Sequence, residues 1–144
     1  MLEVKDMSRG ETTALLLRGT WGHLGVARDG RPYVVPMHYS YDSECLFFFT
    51  TEGTKTEIIS ANHEVCFQVE EVTDASRWQS VQVFGRAERL TAPAELERAM
   101  QLLTERNPTL QPALNRTKIG PWTRLNQTAV YRVRPHSVCG RQTA

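Results

Sequence analysis

The run Gly30 to Phe67, GRPYVVPMHYSYDSECLFFFTTEGTKTEIISANHEVCF, constrains the fold of this chain more than any other stretch. Two apolar segments, Pro32–Ser40 and Cys45–Thr51, flank a polar turn at Asp42-Ser43-Glu44, the pattern of an antiparallel hairpin. Pro36 cannot donate to a ladder, so its strand belongs at a sheet edge or at a bulge. Leu46 to Phe49 are consecutively apolar, so the next strand needs cover on both faces. The chain then passes through a Thr- and Gly-rich turn into a short amphipathic helix over Lys55–Asn62. Ile58 and Ile59 form its apolar side, and Asn62 suits a left-handed end.

The flanking segments extend this β-rich pattern. Ser8 followed by Glu11 forms a capping box for a short helix through Leu15–Leu17 that stops near Gly19. Trp21–Ala27 alternates like a strand, and Arg28-Asp29-Gly30 turns it into the next one. Val65–Val72 and Trp78–Leu90 read as two more strands, and Gly85 marks a bulge or a close backbone approach in the second. Thr91 or Ala92 caps a helix with Pro93 in its first turn and Leu96, Ala99, Met100 and Leu103 at helical spacing. Thr104–Gln127 is rich in proline and carries a short helical piece around Pro112–Arg116. Ala129–Val133 reads as a last strand and Val138–Ala144 as a tail. Six strands with helices in the gaps predict one domain, mainly β, built as a small closed or split antiparallel barrel with helices at its ends.

Composition excludes several classes. The 17 Lys+Arg against 16 Asp+Glu leave no electrostatic footprint for nucleic acid or an anionic membrane. No apolar run spans a bilayer, and Ala14–Leu17 is too short for a secretory signal, so a cytoplasmic location is expected. The apolar fraction of 40% fits a chain that buries further surface between subunits. Cys45 and Cys66 lie in apolar runs as small hydrophobes, and the three cysteines offer no metal-ligand spacing. Ser/His/Asp order, HExxH, the Walker loop and the Rossmann fingerprint are all absent.

The chemistry concentrates at the turn after the third strand. Thr50, Thr51, Thr54 and Thr56 carry hydroxyls, Gly53 leaves the backbone open to approach, and Lys55 supplies a cation where a helix begins. Helix N-termini hold anions, so this turn is a candidate phosphate site. His38, in the strand Pro32–Ser40, is a proton donor or a satisfied strand histidine.

The order of VVPMHYSYD, LFFFTT, EGTK, ANHEVCF, WQSVQVFGRAERLTAPAE and VYRVRPHSVCGR resembles the FMN-binding split barrels related to pyridoxamine 5′-phosphate oxidase, over about residues 12–140. The small members typified by nitroimidazole-resistance proteins are nearest in wording. The resemblance implies a six-stranded antiparallel split barrel and a homodimer holding FMN in grooves between subunits. Tyr33, Val34, Val35, Pro36 and Met37 would lie along the isoalloxazine and ribityl chain. Phe49, Thr50 and Thr51 would flank the phosphate end, and Thr54, Lys55 and Thr56 would hold the phosphate. Ser80 would reach the partner subunit's flavin. The implied activity is flavin-mediated reduction of a small acceptor with a nicotinamide donor. The phosphate turn carries Lys55-Thr56 where the oxidase proper carries a paired Arg-Lys. Two alternatives stay open: a non-catalytic flavin or haem module, with His38, His23 or Cys139 as haem ligand, and a deazaflavin-dependent reductase using the basic run Arg116–Arg124.

Overall fold

The computed structural model describes residues 2–107 and 128–144. The expected helical piece at Pro112–Arg116 and the Arg116–Arg124 run fall outside these residues.

The hairpin expected between Pro32–Ser40 and Cys45–Thr51 does not form along its length: only Ser40–Tyr41 pairs with Leu46–Phe47. The preceding residues pair backwards, so the long hairpin is β2 (Trp21–Arg28) with β3 (Arg31–His38), preceded by β1 (Val4–Asp6) and α1 (Arg9–Arg18). Arg28 pairs with Arg31, so only Asp29 and Gly30 make the turn, at φ 52° and 76°. Two successive positive φ values are the mirror-image turn whose twist matches a hairpin, and glycine reaches them without steric cost. A two-residue strand, β4 (Ser40–Tyr41), leads to β5 (Leu46–Thr51), which runs into α2 (Thr54–Ala61). The long strands β6 (Glu64–Asp74) and β7 (Arg77–Arg89) follow, then α3 (Pro93–Arg106) and β8 (Thr128–Thr143).

All eight strands join one antiparallel sheet, in the order β3-β2-β6-β7-β8-β5-β4, with β1 on the far end of β8. Its two ends approach each other, since β3 touches β5, yet no ladder joins them among the described residues. The barrel is therefore split at β3, the edge strand where Pro36 needs no partner. This is the split-barrel class read from the sequence, with eight strands rather than six. The added strands are β1 and β4, and β8 reaches Thr143 where a tail was expected from Val138.

Pro135 breaks the alternation of β8, which hides its continuation, but the ladder absorbs the break. The β7–β8 register shifts between Phe84 and Gly85, and Gly85 faces Pro135. The bulge expected at Gly85 is thus present. Asn62 departs from expectation: its backbone is extended, at φ −145°. Its side chain does the work instead, with Nδ2 donating to Ala27 O and Oδ1 accepting from Glu64 N.

The barrel interior holds Leu24, Phe48, Phe67, Val69, Val81, Val83 and Val133, all fully buried. Phe48 stacks on Tyr131 at 5.2 Å between ring centroids. A second core lies outside the barrel, where Leu96, Ala99, Met100 and Leu103 of α3 cover Cys45, Phe47 and Val130. These two cores explain the unbroken apolar run: Leu46 and Phe48 face inward, Phe47 faces α3. Arg132 of β8 fixes α3 further, reaching Glu88 at 3.1 Å and Glu95 at 2.6 Å.

α1 starts as its sequence demands. Ser8 Oγ accepts from Glu11 N at 3.1 Å, and Glu11 Oε1 accepts from Ser8 N at 2.9 Å, which satisfies two free N–H groups reciprocally. Leu15 and Leu16 then enter the core, and Tyr39 donates its phenol proton to Leu16 O at 2.7 Å. Ser8→Ala is expected to cost about 1 kcal/mol and to lower the thermal midpoint by roughly 2–4 °C. A melting curve that does not move would remove the cap from the account of stability.

Candidate functional site

The end of β5 and the first turn of α2 form the centre of the site. Gly53 is the N-cap of α2 and has no side chain to accept from the first-turn N–H groups. A Cβ at Gly53 would meet no atom within 4 Å, so the space above it is open. Thr51 and Thr54 are exposed and Lys55 is half-buried. The other two threonines are engaged in the turn. Thr56 is buried, its hydroxyl accepting from Gly53 N and donating to Gly53 O, both at 2.9 Å. Thr50 is buried and donates to Thr51 O at 3.4 Å.

Charge sharpens this picture. Glu52, next to the cap, is ion-paired with Arg89. Among the described residues Lys55 has no carboxylate partner. A cation in the first turn opposes the positive end of the helix dipole, and Glu57 offsets it only in part. Free backbone donors, two threonine hydroxyls and an unpaired ammonium group form a donor set for a phosphate ester.

The five residues of β3 divide by face. Met37 is buried in the barrel and Val35 packs against the same core, while Val34 and Pro36 are exposed on the outer face. Tyr33, 37% exposed, shares a cavity of about 470 Å³ with Ile58 of α2 and with Arg28 and Arg31 of the hairpin turn. The structure thus brings one end of β3 and the α2 helix to a common cavity. As an edge strand β3 also leaves alternate backbone groups free to bond a planar ligand. Phe49 is half-buried and turns toward α3. Ser80 lies elsewhere, half-buried in a cavity of about 710 Å³ with Trp78, Gln82, Cys139 and Arg141.

Sequence reasoning missed Asn107, which closes the far end of β3. It is buried at the C-cap of α3, with Oδ1 3.1 Å from His38 Nδ1 and Nδ2 on Tyr39 O at 3.0 Å and Leu103 O at 3.1 Å. Trp21 stands edge-on to the His38 ring, with centroids 4.6 Å apart. No local motif marks Asn107, because His38 and Tyr39 lie 69 and 68 residues away. Burial pushes the Cys45 and Cys66 thiols up, so neither is an activated nucleophile. The described residues hold no cluster of three metal-ligating side chains, and no helix among them is long and apolar enough to cross a membrane.

The family profile of pyridoxamine 5′-phosphate oxidase matches residues 8–142. The chain belongs to that family. An uncharacterised protein of Rhizobium meliloti (strain 1021) is 34% identical over 89 residues, 62% of this chain and 59% of that protein, so the match spans about three-fifths of the relative's length. A crystal structure described as an FAD-binding protein of Mesorhizobium loti matches with a TM-score of 0.79 and 29% identity, over 100% of this chain and 99% of that one. A candidate 5-nitroimidazole antibiotic resistance protein of Bacteroides thetaiotaomicron also gives a TM-score of 0.79, at 19% identity, over 99% and 89%. At that identity the likeness carries the fold alone. The pyridoxamine 5′-phosphate oxidase family and its split barrel are those read from the strand and turn order.

Proposed function

We propose that this member of the pyridoxamine 5′-phosphate oxidase family is a flavin-binding oxidoreductase. In this reading it takes FMN with the phosphate at the start of α2 and the ring along the edge of β3. The observation that carries the reading is Lys55, a first-turn cation without a carboxylate partner among the described residues, beside the exposed hydroxyls of Thr51 and Thr54. These residues fit a phosphate dianion, whose charge the ammonium and the helix N–H groups compensate together. A flavin supplies two-electron transfer, here from a nicotinamide nucleotide to a small electron-poor acceptor. The protein's part is to bind, orient and shield. The open outer row of Val34 and Phe84 supports a homodimer in which a second copy covers the groove and Ser80 faces the partner's cofactor. Three free cysteines are in keeping with a cytoplasmic location.

A second reading within the same class is FAD. The Mesorhizobium loti neighbour is described as binding it. Next to the first turn of α2, a cavity of about 520 Å³ lined by Arg28, Glu52, Glu57, His63, Arg89 and Tyr131 offers room for a second phosphate, with Arg28 beside the Glu52–Arg89 pair as its cation. Fluorescence titration of the purified protein with riboflavin, FMN and FAD separates the readings. Binding in the order FMN above riboflavin, followed by bleaching of the bound flavin on adding NADH or NADPH, is the expected result. FAD bound much more tightly than FMN would move the assignment to the dinucleotide. Failure of all three to bind would end the flavin proposal.

A further inference from the structure

We propose that His38 is the side chain that reads the ring of the bound ligand, with Nε2 accepting a ring N–H, and that Asn107 is the positioning residue that fixes it in that state. The inference rests on the flavin reading above and adds to it a side chain and a ligand group.

Asn107 settles the proton of the imidazole by elimination. A carboxamide nitrogen has two hydrogens, and those of Asn107 go to Tyr39 O and Leu103 O, both backbone carbonyls that can only accept. These two acceptors fix the orientation of the amide, so Oδ1 is the atom 3.1 Å from His38 Nδ1. An oxygen of this kind accepts only, so Nδ1 must carry the hydrogen. A neutral imidazole has one N–H, which leaves the lone pair on Nε2. Asn107 is 4% exposed, so this arrangement is held inside the protein. Trp21 braces the ring from the side at 4.6 Å.

Nε2 is the nitrogen left for a ligand. Among the described residues Nε2 of His38 makes no hydrogen bond, and it is not one of the buried unpartnered atoms, which are Ser40 Oγ and Arg132 Nε. His38 ends β3 on the same face as Val34 and Pro36, four and two residues back along the edge strand. A planar ligand on that edge meets there a fixed acceptor, which suits a heterocycle with an imide or lactam N–H, such as the pyrimidine portion of a flavin. Pro36 offers no N–H in the same stretch, so His38 sharpens a polarity that the backbone leaves weak.

Two measurements test this. The first is the ring ¹⁵N spectrum of the labelled wild-type protein at a pH where the imidazole is neutral. A protonated Nδ1 and a bare Nε2 are expected, and Asn107→Ala should mix the two tautomers; a proton found on Nε2 in the wild type overturns the assignment. The second compares FMN with its N3-methyl analogue, which lacks the ring donor. His38→Phe should weaken FMN by about tenfold and leave the methylated ligand unchanged, with His38→Gln restoring part of the difference. Equal loss for both ligands overturns the role of His38 while leaving flavin binding intact. A wild-type protein that binds neither ligand removes the flavin reading, and the reader role with it.

Discussion

Lys55→Ala is expected to weaken FMN binding by about 10- to 100-fold, the range of a lost charge-assisted hydrogen bond, and to leave riboflavin binding unchanged. Riboflavin shares the ring and the ribityl chain but lacks the phosphate, so the pair isolates the contribution of the α2 turn. The effect is large because nothing else at the turn replaces the charge. Glu52 and Arg89 neutralise each other, and the Thr56 hydroxyl is committed to Gly53. Stability should change little or rise slightly, since the variant removes a cation from the positive end of a helix. Equal losses for FMN and riboflavin would place the phosphate elsewhere, and Arg28 would become the next residue to test.

Gly85→Val is expected to be strongly destabilising. A Cβ at this position would lie 2.3 Å from Arg134 O and 2.9 Å from Arg134 C. Both are backbone atoms, held where β8 shifts register against β7. Neither can swing away as a side-chain tip would, so relief requires the bulge itself to open. Overpacking of this kind costs about 3 kcal/mol or more, which lowers the melting temperature by on the order of 10 °C. Gly10→Ala is the matched control. Its Cβ meets only Ser8 Oγ at 3.9 Å, and alanine favours the helix, so that variant should melt at the same temperature or higher. If both variants melt like the parent, the bulge is softer than its geometry indicates.

Local rules made much of this fold legible. The Ser8–Glu11 box, the Asp29-Gly30 turn, the edge position of Pro36 and the bulge at Gly85 each follow from the chemistry of one or two residues. The run Leu46–Phe49 announced cover on both faces, and the barrel and α3 supply it. What escaped depends on partners far away in the chain. β1 is three exposed residues, and only the ladder to Arg141–Thr143 makes it a strand. The end of β8 is polar and interrupted by Pro135, so its pairing with β7 leaves no periodic trace. At the site, the donor set proposed for a phosphate could be assembled from sequence because its residues are neighbours in the chain. The clasp of Asn107 on His38 could not, since it depends on where α3 ends relative to β3.

β8 lies between β7 and β5, and β1 also pairs with it. Every strand it joins is synthesised before it. As the nascent chain leaves the ribosome, β2, β3, β6 and β7 can pair in succession, but β5 has to wait for its main neighbour with the edge that β8 will pair still open. Non-local closure of this kind places folding in the slower, millisecond-to-second regime, and it leaves an aromatic strand open to other chains in the interval. Pairing of β8 is thus the step that closes the sheet and removes that open edge.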